Sequence, residues 1–272
     1  MKPNRIASTA IAAALLITAA LLAPPADAGS TLERIRSAKT LRVGITGTQP
    51  PLNAKNKAGN IIGFEADLAR MLGASMGVKT ELVATPFAEL LPKVAKGELD
   101  IVISGLTMTP ERNLDVAFVG PYFVSGKSIL SDEHTLADLQ DAREINKPDM
   151  KLVALKDSTS QIFAEEIIPK AQLTTVASYA AGVKMVKDGT ADVLIADHPF
   201  CMVAVLQDEG ETLVTLAEPF TFEPIGMALP PDDALFVNLV TNFLTMIEGT
   251  GTLLEMKESY FADGEWLADV QQ

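Results

Sequence analysis

Apolar residues in this chain gather in short runs, and the polar stretches between them carry apolar residues at helical spacing. The run over 41–45 (LRVGI) is rich in branched side chains and predicts a buried strand. A short polar helix over 31–37 precedes it, and a Gly-, Pro- and Asn-rich loop over 46–60 follows. From Phe64 the period changes. Phe64, Leu68, Met71 and Leu72 recur as one face of a helix, and Glu65 and Asp67 stand in its first turn, where the helix dipole favours acids. A strand over 79–84, a helix over 87–96 ended by Gly97 and a strand over 100–103 complete a β-α-β-α-β rhythm. The rhythm then returns. Strands are predicted at 127–130, 151–155, 174–176 and 191–196, with a polar, partly helical stretch over 135–144 and helices up to Ile167 and over 179–187. The last part reads as 213–216, a strand over 226–229 stopped by Pro230-Pro231, an amphipathic helix over 235–248 and a short helix over 253–260. Trp266 is expected to pin the tail onto the body. Alternation of this kind predicts α/β units with largely parallel sheets, which place ligands beyond the carboxyl ends of their strands.

One such end carries the densest chemistry. The strand over 100–103 delivers SGLTMTPER, 104–112. Gly105 lets backbone approach a ligand, Thr107 and Thr109 supply hydroxyls, and Arg112 offers a planar fork that fits a carboxylate. The stretch reads either as an anion cup or as a turn capping a helix, with Arg112 solvated or paired to Glu111 or Asp115. A second polar strand end, 156–161 (KDSTSQ), resembles a helix N-terminus, whose exposed N–H groups suit an anion.

The N-terminus changes the picture of location. Lys2 and Arg5, the apolar stretch 10–23 and the small-x-small motif Ala26-Asp27-Ala28 predict an export signal over 1–28, too short in its apolar part to span a bilayer comfortably. No Cys follows the cut, so no lipid anchor is expected. The net charge of −13 becomes −14 once Lys2, Arg5 and Asp27 leave, and so acidic a chain is a poor partner for nucleic acid. Cys201 is the only cysteine, which excludes an internal disulfide, and it reads as a small buried side chain. With two histidines and no CxxC, HExxH, P-loop, GxGxxG or GxSxG, neither a metal nor another cofactor is expected.

In order and spacing, LRVGITGTQPPL, GFEADLARMLG, GELDIVISGLTMTPER, VAFVGPYF, DGTADVLIADHPF, the FTFEPIGMAL return and the tail with Trp266-Leu267 and Val270-Gln271 resemble the bacterial solute-binding proteins of family 3, which serve polar amino acid ABC transporters. The resemblance covers nearly all of the mature chain. It implies a type II periplasmic-binding-protein-like fold: two α/β lobes, two hinge strands and a ligand cleft between them. Lobe 1 would comprise residues 29–121 and 227–272 and lobe 2 residues 127–220. The crossings would fall at 122–126 and 221–226, where Gly126 and Gly226 suit a bending backbone.

By the same resemblance, Arg112 matches the residue that binds the ligand's carboxylate, Thr107 a hydroxyl donor to it, and Thr159 and Ser160 the second-lobe loop that completes that site. The Gly105 carbonyl matches an acceptor for the ligand's ammonium, and Asp197 the acid that binds it. Asp197 reads alternatively as a strand-end acid capping the turn before Pro199. Phe87 matches an aromatic packed on the ligand side chain or is plain core, Lys156 contacts ligand or is solvated, and Lys127 reads as a structural ion pair at the hinge. The chain departs from the family in having Gln49 and Leu52 where first-loop aromatics are usual, and Ser158 where Gly is common. Gln49 is placed to hydrogen-bond a polar ligand group, and Leu52 reads as core. The function implied is a monomeric periplasmic protein, without catalysis or cofactor, that binds an amino acid between closing lobes and delivers it to an ABC permease. Two alternatives stand beside it: a periplasmic cyclohexadienyl (arogenate/prephenate) dehydratase on the same fold, and a sensory protein that presents its ligand to a receptor. The dehydratase's extra acid after the strand ending at Asp197 has no evident counterpart, since His198-Pro199 follows.

Overall fold

The computed structural model describes residues 30–209, 211–231, 233–261 and 265–270; the expected export signal and Gln271 lie outside the described residues. Helix α1 (Thr31–Ala38) leads into β1 (Thr40–Ile45). The predicted loop over 46–60 is instead organised as three short strands, β2 (Thr48–Gln49), β3 (Asn53–Lys55) and β4 (Ile61–Ile62), paired antiparallel. Its Gly, Pro and Asn residues form the turns between strands too short to give a periodic signal. Helix α2 (Phe64–Ser75), β5 (Lys79–Ala84), α3 (Phe87–Ala95) and β6 (Ile101–Val102) follow. Leu41 and Val43 of β1 and Phe64, Leu68 and Leu72 of α2 share one buried core. Asp100, fully buried at the foot of β6, is held by Arg34 and by Arg42.

The long strand β7 (Ala117–Ser125) runs through Gly126 into β8 (Lys127–Ser131), which belongs to a second sheet. That sheet adds β9 (Lys151–Leu155), α4 (Thr159–Ile167), β10 (Gln172–Val176), α5 (Tyr179–Lys187), β11 (Val193–Asp197), α6 (His198–Leu206) and β12 (Val214–Thr215). The chain then returns through β13 (Glu223–Leu229) to the first sheet and ends in α7 (Ala234–Gly249) and α8 (Thr252–Phe261). Asp233 ties the first and last parts together: its carboxylate accepts from Phe236 N–H at 2.9 Å, capping α7, and from Leu32 N–H at 2.8 Å.

The strand orders are β5-β1-β6-β13-β7 and β10-β9-β11-β8-β12. In each, three parallel strands are followed by two that run antiparallel to their neighbours. The fold is therefore two α/β lobes; the sequence pattern predicts the α/β alternation, and the family resemblance implies the two lobes with a cleft between them. Where the lobes join, the two crossing segments touch. A Cβ on Gly126 would fall 2.1 Å from the Thr221 carbonyl oxygen, so only glycine lets them approach this closely. The tail is stitched to lobe 1. Trp266 donates to the Tyr260 carbonyl at 3.0 Å and stands edge-on to the Tyr260 ring, and Val270 bridges to Asn56. Cys201 is fully buried, and burial pushes its thiol pKa up, which fits an inert packing role.

Candidate ligand site in the cleft

Residues that follow β1, β6 and β9 come together: Thr46 N–H donates to Ser104 Oγ at 3.0 Å, and the loop after β6 meets the start of α4. The loop after β6 is fixed on both edges. Thr107 bridges to Ile225, Gly226 N–H donates to the Leu106 carbonyl at 3.0 Å, and Met108 N–H donates to that of Pro224 at 2.8 Å. Gly105 has a φ of 58°, and a Cβ there would meet the Gln49 amide at 3.1 Å, so glycine is required.

Beneath this loop lies a network that the sequence reading did not single out. Glu65, fully buried at the start of α2, accepts from Gly105 N–H at 2.7 Å, from Asn53 Nδ2 at 2.5 Å and from the Tyr122 hydroxyl. Burial raises its pKa, and those three hydrogen bonds pull the other way. Burial and the adjacent Glu65 together hold the Tyr122 hydroxyl well above its ordinary value. Ser104 donates to Gln49 Oε1 at 3.1 Å, and Gln49 also accepts from Thr46 at 3.0 Å. Gln49 is thus 3 % exposed and its carbonyl is occupied within the first lobe, rather than left for a ligand. Leu52 is core, as expected.

Arg112 sits above the network, half-buried. Its guanidinium donates to the Thr107 carbonyl at 2.9 Å and, across the seam, to the Asp157 carbonyl at 3.4 Å, and lies 5.9 Å from the centre of the Phe87 ring. Glu111 and Asp115 are exposed, and no ion pair to Arg112 exists among the described residues. Burial lowers the Arg112 pKa while Glu223, Asp197 and Tyr179 raise it, and the group stays protonated. The Thr107 and Thr159 hydroxyls meet at 3.2 Å, closing lobe 1 on the start of α4. Ser158 caps that helix, accepting from Gln161 N–H at 3.2 Å, so the earlier amides of Thr159 and Ser160 face outward as first-turn amides do. Ser160 is fully buried, and its hydroxyl has no hydrogen-bond partner of ordinary geometry.

The other end of the cleft differs from expectation. Asp197 Oδ1 is 2.6 Å from Lys127 Nζ, and Oδ2 accepts from the Tyr179 hydroxyl at 2.9 Å. Lys127 is therefore the structural ion pair read from sequence, and its partner is the acid expected to take a ligand's ammonium. Glu223 stands 3.7 Å from the same amine. Tyr179 is fully enclosed and stacks on Phe200, with centroids 4.5 Å apart; burial, then Asp197, holds its hydroxyl pKa well up. Lys156 is exposed, and only its backbone N–H is engaged, to the Val176 carbonyl at 2.9 Å, so no contact brings its side chain into the site. Phe87 is 8 % exposed and lines a cavity of about 320 Å³ with Gln49, Leu155 and Tyr179, enough for a small molecule.

A model of bacterial extracellular solute-binding proteins, family 3, matches residues 41–263. The chain belongs to that family. Among curated relatives it is 28% identical to a cyclohexadienyl dehydratase of Pseudomonas aeruginosa, over 93% of this chain and 92% of that one. It is 25% identical to the ABC transporter arginine-binding protein 1 of Escherichia coli, over 90% and 98%. Among solved structures, a lysine-complexed putative ABC transporter binding component from Wolinella succinogenes is 36% identical with a TM-score of 0.80, covering 85% of this chain and 99% of that one. An ancestral amino acid-binding protein, described as a precursor of cyclohexadienyl dehydratase, is 34% identical with a TM-score of 0.78, covering 86% and 100%. Among the described residues, no helix is long and apolar enough to cross a membrane, and no group of three or more His, Cys, Asp or Glu could hold a metal.

Proposed function

We propose that this family 3 protein captures a small carboxylic acid between its lobes and delivers it, outside the cytoplasm, to an ABC permease. The observation that carries the reading is Arg112: a half-buried guanidinium at the seam, held by carbonyls of both lobes, with no carboxylate partner among the described residues. Thr107, Thr159, Ser160 and the first amides of α4 surround the place where a carboxylate would lie, so binding joins the two lobes. The segments 122–126 and 221–226 are the proposed hinge, with residues 29–121 and 227–272 moving against 127–220. Export by the signal over 1–28 and a monomeric state belong to the same proposal. The relatives' names support an amino acid or a close analogue of one. A thermal-shift screen of amino acids and related acids tests the reading. Ligand at a hundred times its Kd adds about 2.7 kcal/mol of stability, and Arg112→Ala should cut that gain to about 0.4 kcal/mol at the same ligand concentration.

The dehydratase relative gives a second reading some ground, at 28% identity over nearly the whole chain. Such chemistry needs an acid that can give its proton to the substrate. Glu65 is sealed under the Gly105 loop with all its bonds made, and Asp197 is paired to Lys127. The binding reading is therefore preferred, and formation of phenylpyruvate from prephenate would reverse it.

A further inference from the structure

The cavity beside Phe87 touches the Arg112 site at two points. Phe87 lines it, and the Arg112 guanidinium lies 5.9 Å from the centre of that ring. Gln49 lines it too, and the Gln49 amide is what a Cβ on Gly105 would meet at 3.1 Å. An acid held at Arg112 therefore has this space, about 320 Å³, for the rest of its body. The walls are one-sided in charge. No Asp or Glu is among the lining residues, and Lys55, exposed at the end of β3, is their only charged member. Lys55 has no ion-pair partner among the described residues. The Gln49 carbonyl is taken by Ser104, so its NH2 end is the end offered to the cavity. Ser178 accepts from Ala181 N–H at 3.3 Å and keeps its own proton to give.

Unspent donors and one cation thus face this space, and no carboxylate does. Asp197 stands behind Tyr179, with one oxygen on Lys127 and the other on the Tyr179 hydroxyl. A guanidinium or ammonium entering the cavity would give up water without gaining a counter-ion. The Phe87 ring attracts cations, but Arg112 is already beside it and would repel a second one. A carboxylate or amide oxygen meets the opposite balance.

We infer that the ligand is a small acid whose second polar group, beyond the carboxylate on Arg112, is a side-chain carboxylate or amide, and that Lys55 sets this preference. The inference rests on the carboxylate clamp at Arg112 and deepens it. The ligands in the names of the arginine-binding relative and the lysine complex then do not carry over to this chain. Lys55 also borders a second cavity with Lys187, Asp208 and Glu209, where Lys187 already holds Asp208.

The test is calorimetric titration with L-glutamate, L-glutamine, L-aspartate and L-asparagine against L-arginine and L-lysine, repeated on Lys55→Glu and Arg112→Ala. Lys55 is exposed, so its substitution leaves the core intact. The best of the first four should bind the wild type at least about tenfold more tightly than either cationic amino acid. Lys55→Glu should move that ratio about tenfold or more towards the cationic pair, and Arg112→Ala should weaken every ligand that binds about a hundredfold. Arginine or lysine binding the wild type as tightly as the best of the four, in an Arg112-dependent way, overturns the inference and leaves the clamp standing. An unchanged ratio in Lys55→Glu overturns the assignment to Lys55 and points its amine at the second cavity. Binding that survives Arg112→Ala overturns inference and clamp together. Binding of none of the six overturns the inference, and the wider screen of acids then judges the clamp.

Discussion

In each lobe the third parallel strand delivers the chain to the cleft, but the two strands hand it on differently. After β6 the backbone wanders through Gly105 and Thr107 before reaching Arg112, and the loop is held from below by Glu65 and from the side by β13. After β11 there is no loop: Asp197 ends the strand and α6 begins at His198. The lobe 1 cation is thus carried on a braced loop that leaves its fork without a carboxylate. The lobe 2 acid is fixed at a strand-helix junction, where Lys127 pairs with one of its oxygens and Tyr179 donates to the other. One sheet thus hands the cleft an open charge, a cation with no carboxylate partner among the described residues, and the other hands it a closed one, an acid that has a cation partner.

The bracing is the first thing to break. Removing Glu65 strands three donors, two of them in or beside the site loop, in a place with no water access. Glu65→Ala should therefore cost about 3 kcal/mol or more, read by denaturant unfolding. Glu65→Gln keeps an acceptor and should cost less. It also isolates a pH effect. Burial holds the Glu65 pKa above 4.5, so as pH rises past 4.5 the unfolded chain releases this proton while the folded protein keeps it. Stability from this group falls over the interval up to the raised value and is level beyond it. Wild type should accordingly gain on Glu65→Gln as pH drops from neutral towards 4.5, and a constant difference would contradict this account. The open charge comes next. Arg112→Ala should weaken carboxylate binding about a hundredfold, close to 2.7 kcal/mol, with little change in the ligand-free melting point. Arg112→Lys keeps the charge but loses the fork, and should fall between.

Much of this was legible in the chain, for identifiable reasons. Long periodic segments such as 64–75 and 234–249 declare themselves because a buried stripe must repeat along a helix. Strands β2 to β4 did not, since two or three residues carry no period. Strand β7 was not predicted as a strand, because Gly120 and Pro121 interrupt its nine residues. At the site, the residue types of 104–112 read as an anion cup or as a turn capping a helix, and among the described residues Arg112 has neither Glu111 nor Asp115 as an ion-pair partner. What sequence could not give is who already holds whom. Asp197 and Lys127 lie 70 positions apart and meet only because β8 and β11 pair antiparallel, Asp197 opposite Lys127. Glu65, Asn53 and Tyr122 each sit in stretches with an evident packing reason, GFEADL, PLNA and GPYF, which hid their common target. Gln49 is a case of the same kind: sequence could not show that Ser104 and Thr46 take its carbonyl.

The lobe 2 side of the seam should tolerate more. Ser158 caps α4 and donates to the Leu155 carbonyl at 2.6 Å, so Ser158→Ala should cost about 1 kcal/mol of stability and weaken binding modestly through the fraying of the first turn.

The smallest effect belongs to Lys156, and it tests the contrast most sharply because its charge is the same sign as that of Arg112. Lys156 follows β9 directly, yet its side chain is exposed and only its backbone N–H is bonded, to the Val176 carbonyl at 2.9 Å. Solvated charges are screened over about 8 Å at physiological salt, so Lys156 acts on an incoming anion from a distance, if at all. Lys156→Ala should leave Kd within about twofold at 0.15 M salt, with a slower association rate only at low ionic strength. A tenfold loss that persists in high salt would mean that the 156–158 turn rotates inward on binding. The carboxylate would then be gripped by cations from both lobes, and the division into an open lobe 1 charge and a closed lobe 2 charge would fail.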